Sequence, residues 1–583
     1  MLPTFRAATL VPVFLAACAA PSAAVQEPET AGGGLRERVE RFSADRDALR
    51  SFYPLDATPA RSLRLERQAA DELAELAALD FDALGLDGKV DCVLLRVELE
   101  HQRFQGAEER ARLERLAPLL PCAAAVGALD EARARVDPLD PAATAATLAK
   151  LADEVEALTK RVVRDDAEDP AADALKLSAA DALWLAGRAD GLGQTLGEWY
   201  RHYDTYRPDF AWWCAEPKKA LAEGLEAYAK HLREELAGQK GEDEDPLVGD
   251  PIGAPALAAE LAHELLPYSA DELLALGERE LQWCEGELKR AAGELGLGDD
   301  WRAALERVKA EHVPPGEQDA LVADIAREAI AWLDEHDLVT IPDLCRETWR
   351  VRMIPREDQR MFPFAFYGGQ TVDVAYPTAD MEHDAKLEAM RGNNVHFTRA
   401  VTPHELIPGH HLQGFQAQRF NTHRQAFGTP FLVEGWALYW EMLEWDQGWP
   451  RSPEDRVGML FWRMHRAARI VVSLSFHQGR MTPEEMIDFL VERVGHERDN
   501  ATAEVRRYVG GSYGPLYQCA YMVGGLQLRA LRHELVDGGR MSDREFHDAV
   551  LQAGPIPIEM IRALLTGEAP ARDHAASWRF DQG

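Results

Sequence analysis

Basic residues are scarce in this sequence. It has 64 Lys and Arg against 99 Asp and Glu, a formal charge of −35 over 583 residues. Phosphate backbones repel such a chain, which argues against nucleic acid as a partner. Paired cysteines are missing as well. None of the seven cysteines stands at C-x-x-C spacing, so zinc-ribbon and thioredoxin-type sites are excluded. Long apolar runs are also missing. The run Ala7–Ala17, preceded by Arg6, falls short of the ~20 residues that span a bilayer. The alternation of strand and helix that builds an α/β-hydrolase sheet is absent too. What remains is a chain 46% hydrophobic and 28% charged, which reads as soluble and globular. Its length predicts a large core and more than one compact domain.

The leading residues fit a secretory signal peptide. Leu15-Ala16-Ala17-Cys18 resembles the lipobox of bacterial lipoproteins. That resemblance implies cleavage before Cys18, a lipid on that cysteine and an exported protein anchored in the bacterial envelope. The alternative is a plain signal peptide cut near Ala24. Residues 1–17 are thus the signal segment and 18–35 a flexible tether rich in Ala, Gly, Ser and Glu. The other cysteines, Cys92, Cys122, Cys214, Cys284, Cys345 and Cys519, are scattered and read as single buried thiols.

Most of the chain carries helical amphipathic periodicity. Capping boxes at Ser269–Glu272, Thr482–Glu485 and Ser542–Glu545 open helices that end near Gly296, Gly495 and Gly554. The Gly-, Pro- and acid-rich stretch Gly238–Pro255 divides a helical region, 36–245, from a region at 246–583 that holds the candidate chemistry. Strand signals are few. Phe364–Tyr367, a Gly-Gly turn and Thr371–Tyr376 read as a hairpin, and Val395–Thr398 as a short strand. The expected fold is mostly α, a large bundle-like array with a small hairpin or sheet beside the site.

The candidate chemistry is in HELIPGHH, His404–His411. Zinc hydrolysis needs three protein ligands, an open position for water and a carboxylate to take its proton. The HExxH solution sets two histidines four apart on one helical face. Here the fifth position is Pro408, which cannot bind metal. At ~100° per residue an ideal helix would bring His411 back to the His404 face. Pro408 and Gly409 disfavour an ideal helix, and a bulge would bring His410 there instead. The choice between His410 and His411 stays open on spacing. Phe431–Glu441 reads as a second helix with Glu434 and Glu441 on one face. Glu434 is placed to complete a two-His, one-Glu set, and Glu441 to orient a ligand histidine.

Together, His404-Glu405, Pro408–Gln413 and Glu434-Gly-Trp-Ala-Leu-Tyr439 resemble the bacterial domain-of-unknown-function family 885. That family is similar to the thermolysin-like Glu-zincins and to helical peptidyl-dipeptidases. The resemblance implies a zinc metallopeptidase in which His404, His410 and Glu434 hold Zn2+ and Glu405 is the base. It also implies that the helical first half narrows access, so that short peptides are the substrates. In the resembled peptidases a later Tyr and His support the oxyanion. Tyr513, Tyr517, Tyr521 and His477 are candidates here, and Tyr521 fits best. Ser473 and Ser475 stand where the family has Asp and Gly, which weakens His477. The hairpin is expected to pair with substrate as an added strand.

Other readings compete. Thr402–Glu405 is also a capping-box pattern, in which Glu405 would only cap a helix start. His396 and His423 read as surface or loop residues, and Trp436, Trp440, Trp445 and Trp449 as core. Gly510-Gly-Ser512-Tyr-Gly514 matches the nucleophile elbow of serine hydrolases, with Arg506–Val509 as the strand the elbow requires. A third reading is an envelope lipoprotein that binds peptides without cutting them.

Overall fold

Helix ends fall where the sequence punctuates them. Ser269, Thr482 and Ser542 each close a reciprocal capping box, and the helices they open begin at Ala270, Pro483 and Asp543. Gly495 and Gly554 end two of these segments at positive φ, a conformation side chains resist. The computed structural model describes residues 34–241, 245–359, 364–511 and 513–581. The signal segment, Cys18, nearly all of the tether and Ser512 lie outside the described residues. Helix makes up 69% and strand 3% of the protein, so the fold is mostly α as its periodicity indicates.

Among the described residues, the three largest buried clusters organise the helices. One joins Pro141–Thr159, Ala179–Tyr203 and Pro208–His231 around Trp199, Leu185 and Leu225. A second runs from the first helices, through Val39, Phe42, Val93 and Leu95, to Trp436, Trp440 and Phe546. The third surrounds Pro453–His477, a helix buried along nearly its whole length. That helix packs on Ala270–Glu294 and on Tyr517–Arg532. The six cysteines among the described residues are all buried and unbridged.

A three-stranded sheet lies beside the site. Thr371–Val374 is central, parallel to Arg350–Met353 and antiparallel to Ala365–Tyr367, with Tyr367 opposite Val372. The expected hairpin is therefore present, and Ala365–Tyr367 is an edge. A second, two-stranded parallel sheet pairs Val162–Arg164 with Leu175–Leu177.

Two local expectations are corrected. Val395–Thr398 is the start of a helix, Val395–Glu405, not a strand. The Asn394 side chain accepts hydrogen bonds from the amides of His396 and Phe397, at 3.0 Å each, and this cap outweighs the β propensity of the run. It also places Thr402 in mid-helix, so Thr402–Glu405 is not a capping box. His396 and His423 are buried rather than superficial. His396 Nδ1 meets Asp455 at 2.7 Å, and His423 Nε2 meets Asp91 at 3.0 Å.

Candidate metal centre

His404 and Glu405 end the Val395–Glu405 helix, and His410 begins the next, His410–Ala417. Leu406–Gly409 is a full break between two helices rather than a bulge within one. Leu406 leaves helical geometry at φ −106°, ψ −100°. Gly409 folds back so that its amide donates to Pro403 O at 3.0 Å. A Cβ at Gly409 would lie 1.7 Å from the His404 carbonyl oxygen, so no other residue fits without moving the backbone. Trp436 Nε1 holds the far side of the break, donating to Pro408 O at 2.8 Å. The two additional residues of the motif are spent on this loop.

The loop settles which histidine returns. The His410 ring lies 5.0 Å from that of His404, nearly perpendicular to it. His411 points away. Its Nε2 donates to Cys345 O at 3.1 Å, and its Nδ1 lies 3.2 Å from Tyr367 Oη. Burial lowers its pKa, which keeps this bonded ring neutral.

Glu434 arrives on the Pro430–Asp446 helix. Its Oε2 lies 3.8 Å from His404 Nε2 and 3.2 Å from His410 Nε2. That oxygen is buried and has no hydrogen-bond partner, whereas Oε1 accepts a short hydrogen bond from Tyr517. Glu441, two turns further on the same helix, accepts from His404 Nδ1 at 2.6 Å. Nε2 of His404 is thereby left to face Glu434, the arrangement in which a carboxylate orients a metal-binding imidazole. Ligand-type atoms of His404, Glu405 and His410 also lie within 4.8 Å of one another, so Glu405 is close at hand. Of the two carboxylates, Glu434 has the oxygen that both Nε2 atoms face.

The electrostatics follow from burial. Burial disfavours a charge on His404, but the facing Glu434 carboxylate and the bond to Glu441 outweigh this and raise its pKa to about 9. Burial likewise opposes charge on Glu434, yet the two imidazoles hold its pKa well below the usual carboxylate range. Glu405 has no such bond. Burial dominates there and raises its pKa, which suits a group that accepts a proton.

Tyr517–Arg532 crosses the Glu434 helix at backbone contact. A Cβ at Gly524 would lie 1.9 Å from Phe431 O, and one at Gly435 2.6 Å from Gly524. This closeness brings Tyr517 to Glu434 and lays the Tyr521 ring parallel to that of His404, 6.3 Å away. The Tyr513 ring lies tilted against that of Tyr517, 4.4 Å between centres. All three tyrosines line a cavity of 400 Å³ together with His404, Glu405, His410, Glu434 and the edge strand Ala365–Tyr367. Arg466, Arg469 and Arg507 line its other side, and sequence reasoning missed all three. For Arg466 and Arg469 the sequence signal is the recurrence of arginine at 463, 466 and 469 on one helix.

His477 does not reach the cavity. It sits at the end of the long Pro453–His477 helix, where burial lowers its pKa to about 4. Before Ser512 the chain is helical, Arg498–Val509, where a nucleophile elbow needs a strand. Trp436, Trp440 and Trp449 are core as expected, and Trp445 is packed against the core.

A second histidine–glutamate cluster makes a useful contrast. Glu98, His101, Glu260 and His263 pair internally, His101 with Glu260 at 2.9 Å and His263 with Glu98 at 3.3 Å. Those atoms have partners, whereas Glu434 Oε2 does not.

A model of the bacterial protein family of unknown function DUF885 matches residues 54–565. Among solved structures, a candidate lipoprotein of unknown function from Shewanella oneidensis is 16% identical with a TM-score of 0.67, over 91% of this chain and 99% of that one. A candidate lipoprotein from Colwellia psychrerythraea is 17% identical with a TM-score of 0.57, over 92% and 98%. At such identities the likeness is one of fold. No curated protein matches the chain.

Proposed function

We propose, for a chain that belongs to the bacterial DUF885 family, that it is a zinc-dependent peptidase acting on short peptides. The observation that carries this reading is the convergence of two imidazole Nε2 atoms on a buried carboxylate oxygen that nothing else bonds. An unpaired buried carboxylate oxygen is costly unless a cation or donor meets it. Two histidines and one glutamate suit zinc.

His404, His410 and Glu434 would hold the ion, with Glu441 and Tyr517 fixing their orientation. Bound zinc would supply a Lewis acid that lowers the pKa of a water molecule and polarises a carbonyl. Glu405, buried beside the two histidines, takes the water proton and passes it to the departing amine. Burial raises the pKa of Tyr521, so its phenol keeps its proton and remains a donor for the carbonyl oxygen. The edge strand Ala365–Tyr367 lines the cavity and offers a peptide a backbone to pair with. A cavity of 400 Å³ admits a few residues of extended chain rather than a folded domain.

Export and a lipid anchor at Cys18 belong to the same proposal. Its support is the leader and lipobox pattern of the sequence, together with the description of both similar structures as candidate lipoproteins.

Elemental mass spectrometry of the purified chain tests the reading. About one zinc per chain is expected in the wild type. His410→Ala should lose it and His411→Ala should keep it. Glu405→Gln should also keep zinc while turnover falls by at least ~100-fold. A zinc-free wild type after reconstitution, or undiminished turnover in Glu405→Gln, would reject the assignment.

A further inference from the structure

The Pro453–His477 helix carries arginines at 463, 466 and 469, all at least nine-tenths buried. A buried guanidinium needs a carboxylate. Arg463 has Glu280 at 2.8 Å, and Arg469 has Glu504 at 2.9 Å and Tyr508 at 2.9 Å. Arg466 has no hydrogen-bonded partner of either kind. Among the described residues no atom accepts a hydrogen bond from it. Its nearest carboxylate, Glu441, is 4.0 Å away and already bonded to His404. Arg466 is 6% exposed, lies over the Tyr521 ring and lines the cavity. Arg469 lies over the same ring and retains one buried, unpartnered nitrogen, Nη1. Glu504 is shared by Arg469 and Arg507.

We propose that Arg466, with Arg469 beside it, binds the C-terminal carboxylate of the peptide whose scissile carbonyl lies at the histidine–glutamate cluster. The planar fork of an arginine matches a carboxylate in bidentate fashion. Both guanidinium groups lie over the Tyr521 ring, at 4.7 and 4.5 Å from its centre, and that ring runs parallel to the His404 ring 6.3 Å away. One or two residues bridge such a span, at ~3.8 Å from Cα to Cα. A chain cannot continue beyond it, because the helix behind Arg466 is packed into the core. The protein thus trims peptides from the carboxyl end, releasing one or two residues at a time. This deepens the peptidase reading and rests on it.

The test separates the two. Calorimetric titration of the full chain carrying Glu405→Gln is run with a peptide as its free acid, as its C-terminal amide, and as an amide with glutamate in the last position. The free acid is expected to bind at least tenfold more tightly than either amide. Adding Arg466→Gln should remove that advantage, and Arg466→Lys, which keeps the charge, should keep part of it. Equal affinity for acid and amide, no binding of either, or an advantage that survives Arg466→Gln overturns the proposal. A glutamate-bearing amide that matches the acid also overturns it, making the wall a side-chain pocket. If Arg466→Gln does not fold, the acid-to-amide ratio in the parent and the Arg466→Lys variant decide. Turnover of the acid peptide by zinc-loaded wild type is followed in parallel. No cleavage with the acid preference intact would reject the peptidase reading and leave the carboxylate subsite supported.

Discussion

Glu434 is gripped from one side only: Tyr517 holds Oε1, and Oε2 faces the histidines. Tyr517→Phe should therefore weaken zinc affinity ~10–100-fold, the usual cost of losing a group that orients a ligand. Tyr521→Phe should leave zinc affinity unchanged and lower kcat. Chelator competition and turnover on the same two variants separate these roles, and a shared pattern would contradict them. The pH response has a definite sign. His404 titrates near 9 without metal, so below that pH zinc must displace a proton. Apparent zinc affinity should rise from neutral pH to about 9 and then level off in chelator competition, and a flat profile would contradict the network. At this scale the sequence displayed His404, Glu405 and Glu434, because short motifs record local spacing. It did not separate His410 from His411, since that choice depends on a loop the spacing leaves undefined. Tyr517 stood out only as one of three candidate oxyanion tyrosines; its bond to Glu434, 83 residues away, and the place of Arg466 were illegible because they lie wholly in contacts between helices.

Among the elements, the crossing of Pro430–Asp446 with Tyr517–Arg532 sets the distance between ligand and tyrosines. Gly524→Ala places a Cβ 1.9 Å from Phe431 O and should cost ~1–3 kcal/mol while also weakening zinc binding. Gly525→Ala is the control. Its Cβ would meet nothing closer than 3.4 Å, and helix propensity favours alanine, so stability should hold or rise slightly. Urea unfolding of both variants checks the pair, and equal losses would mean that the crossing is not limiting. The three capping boxes and the hairpin were readable because each is a local pattern of polar or glycine residues. Val395–Thr398 was misread as a strand because a single cap, Asn394, decides it. The glycine crossing left only Gly435 and the Gly524-Gly525 pair in the sequence, and neither names its partner.

For the whole molecule, the first helices and the helices of the candidate site share one apolar cluster, from Val39 and Leu95 to Trp436 and Trp440. A buried polar clasp spans the same junction. Asp91 accepts from Arg424 Nε at 2.7 Å and meets His423 at 3.0 Å, across more than 330 residues of sequence. The Arg424 side chain is 1% exposed and Asp91 is its buried carboxylate partner, so Asp91→Ala leaves it only the exposed Asp87 and should cost ~3–5 kcal/mol. Asp87, whose side chain is 75% exposed, also touches Arg424, and Asp87→Ala should cost no more than ~1 kcal/mol. Denaturant unfolding monitored by tryptophan fluorescence measures both, and equal effects would contradict the burial argument. The mostly α class was plain from periodicity. The shared core was not, because apolar periodicity marks which face is buried and not what covers it.

The glycine contacts have an evolutionary corollary. Gly409, Gly435 and Gly524 each press backbone on backbone, so no single substitution there is neutral and compensation would have to arise in the main chain. The arginine wall is built from side chains alone. Under selection for new substrates the ligand frame would stay fixed while the wall drifts, and homologues of altered taste would differ at 466 and 469 long before they differ at 409.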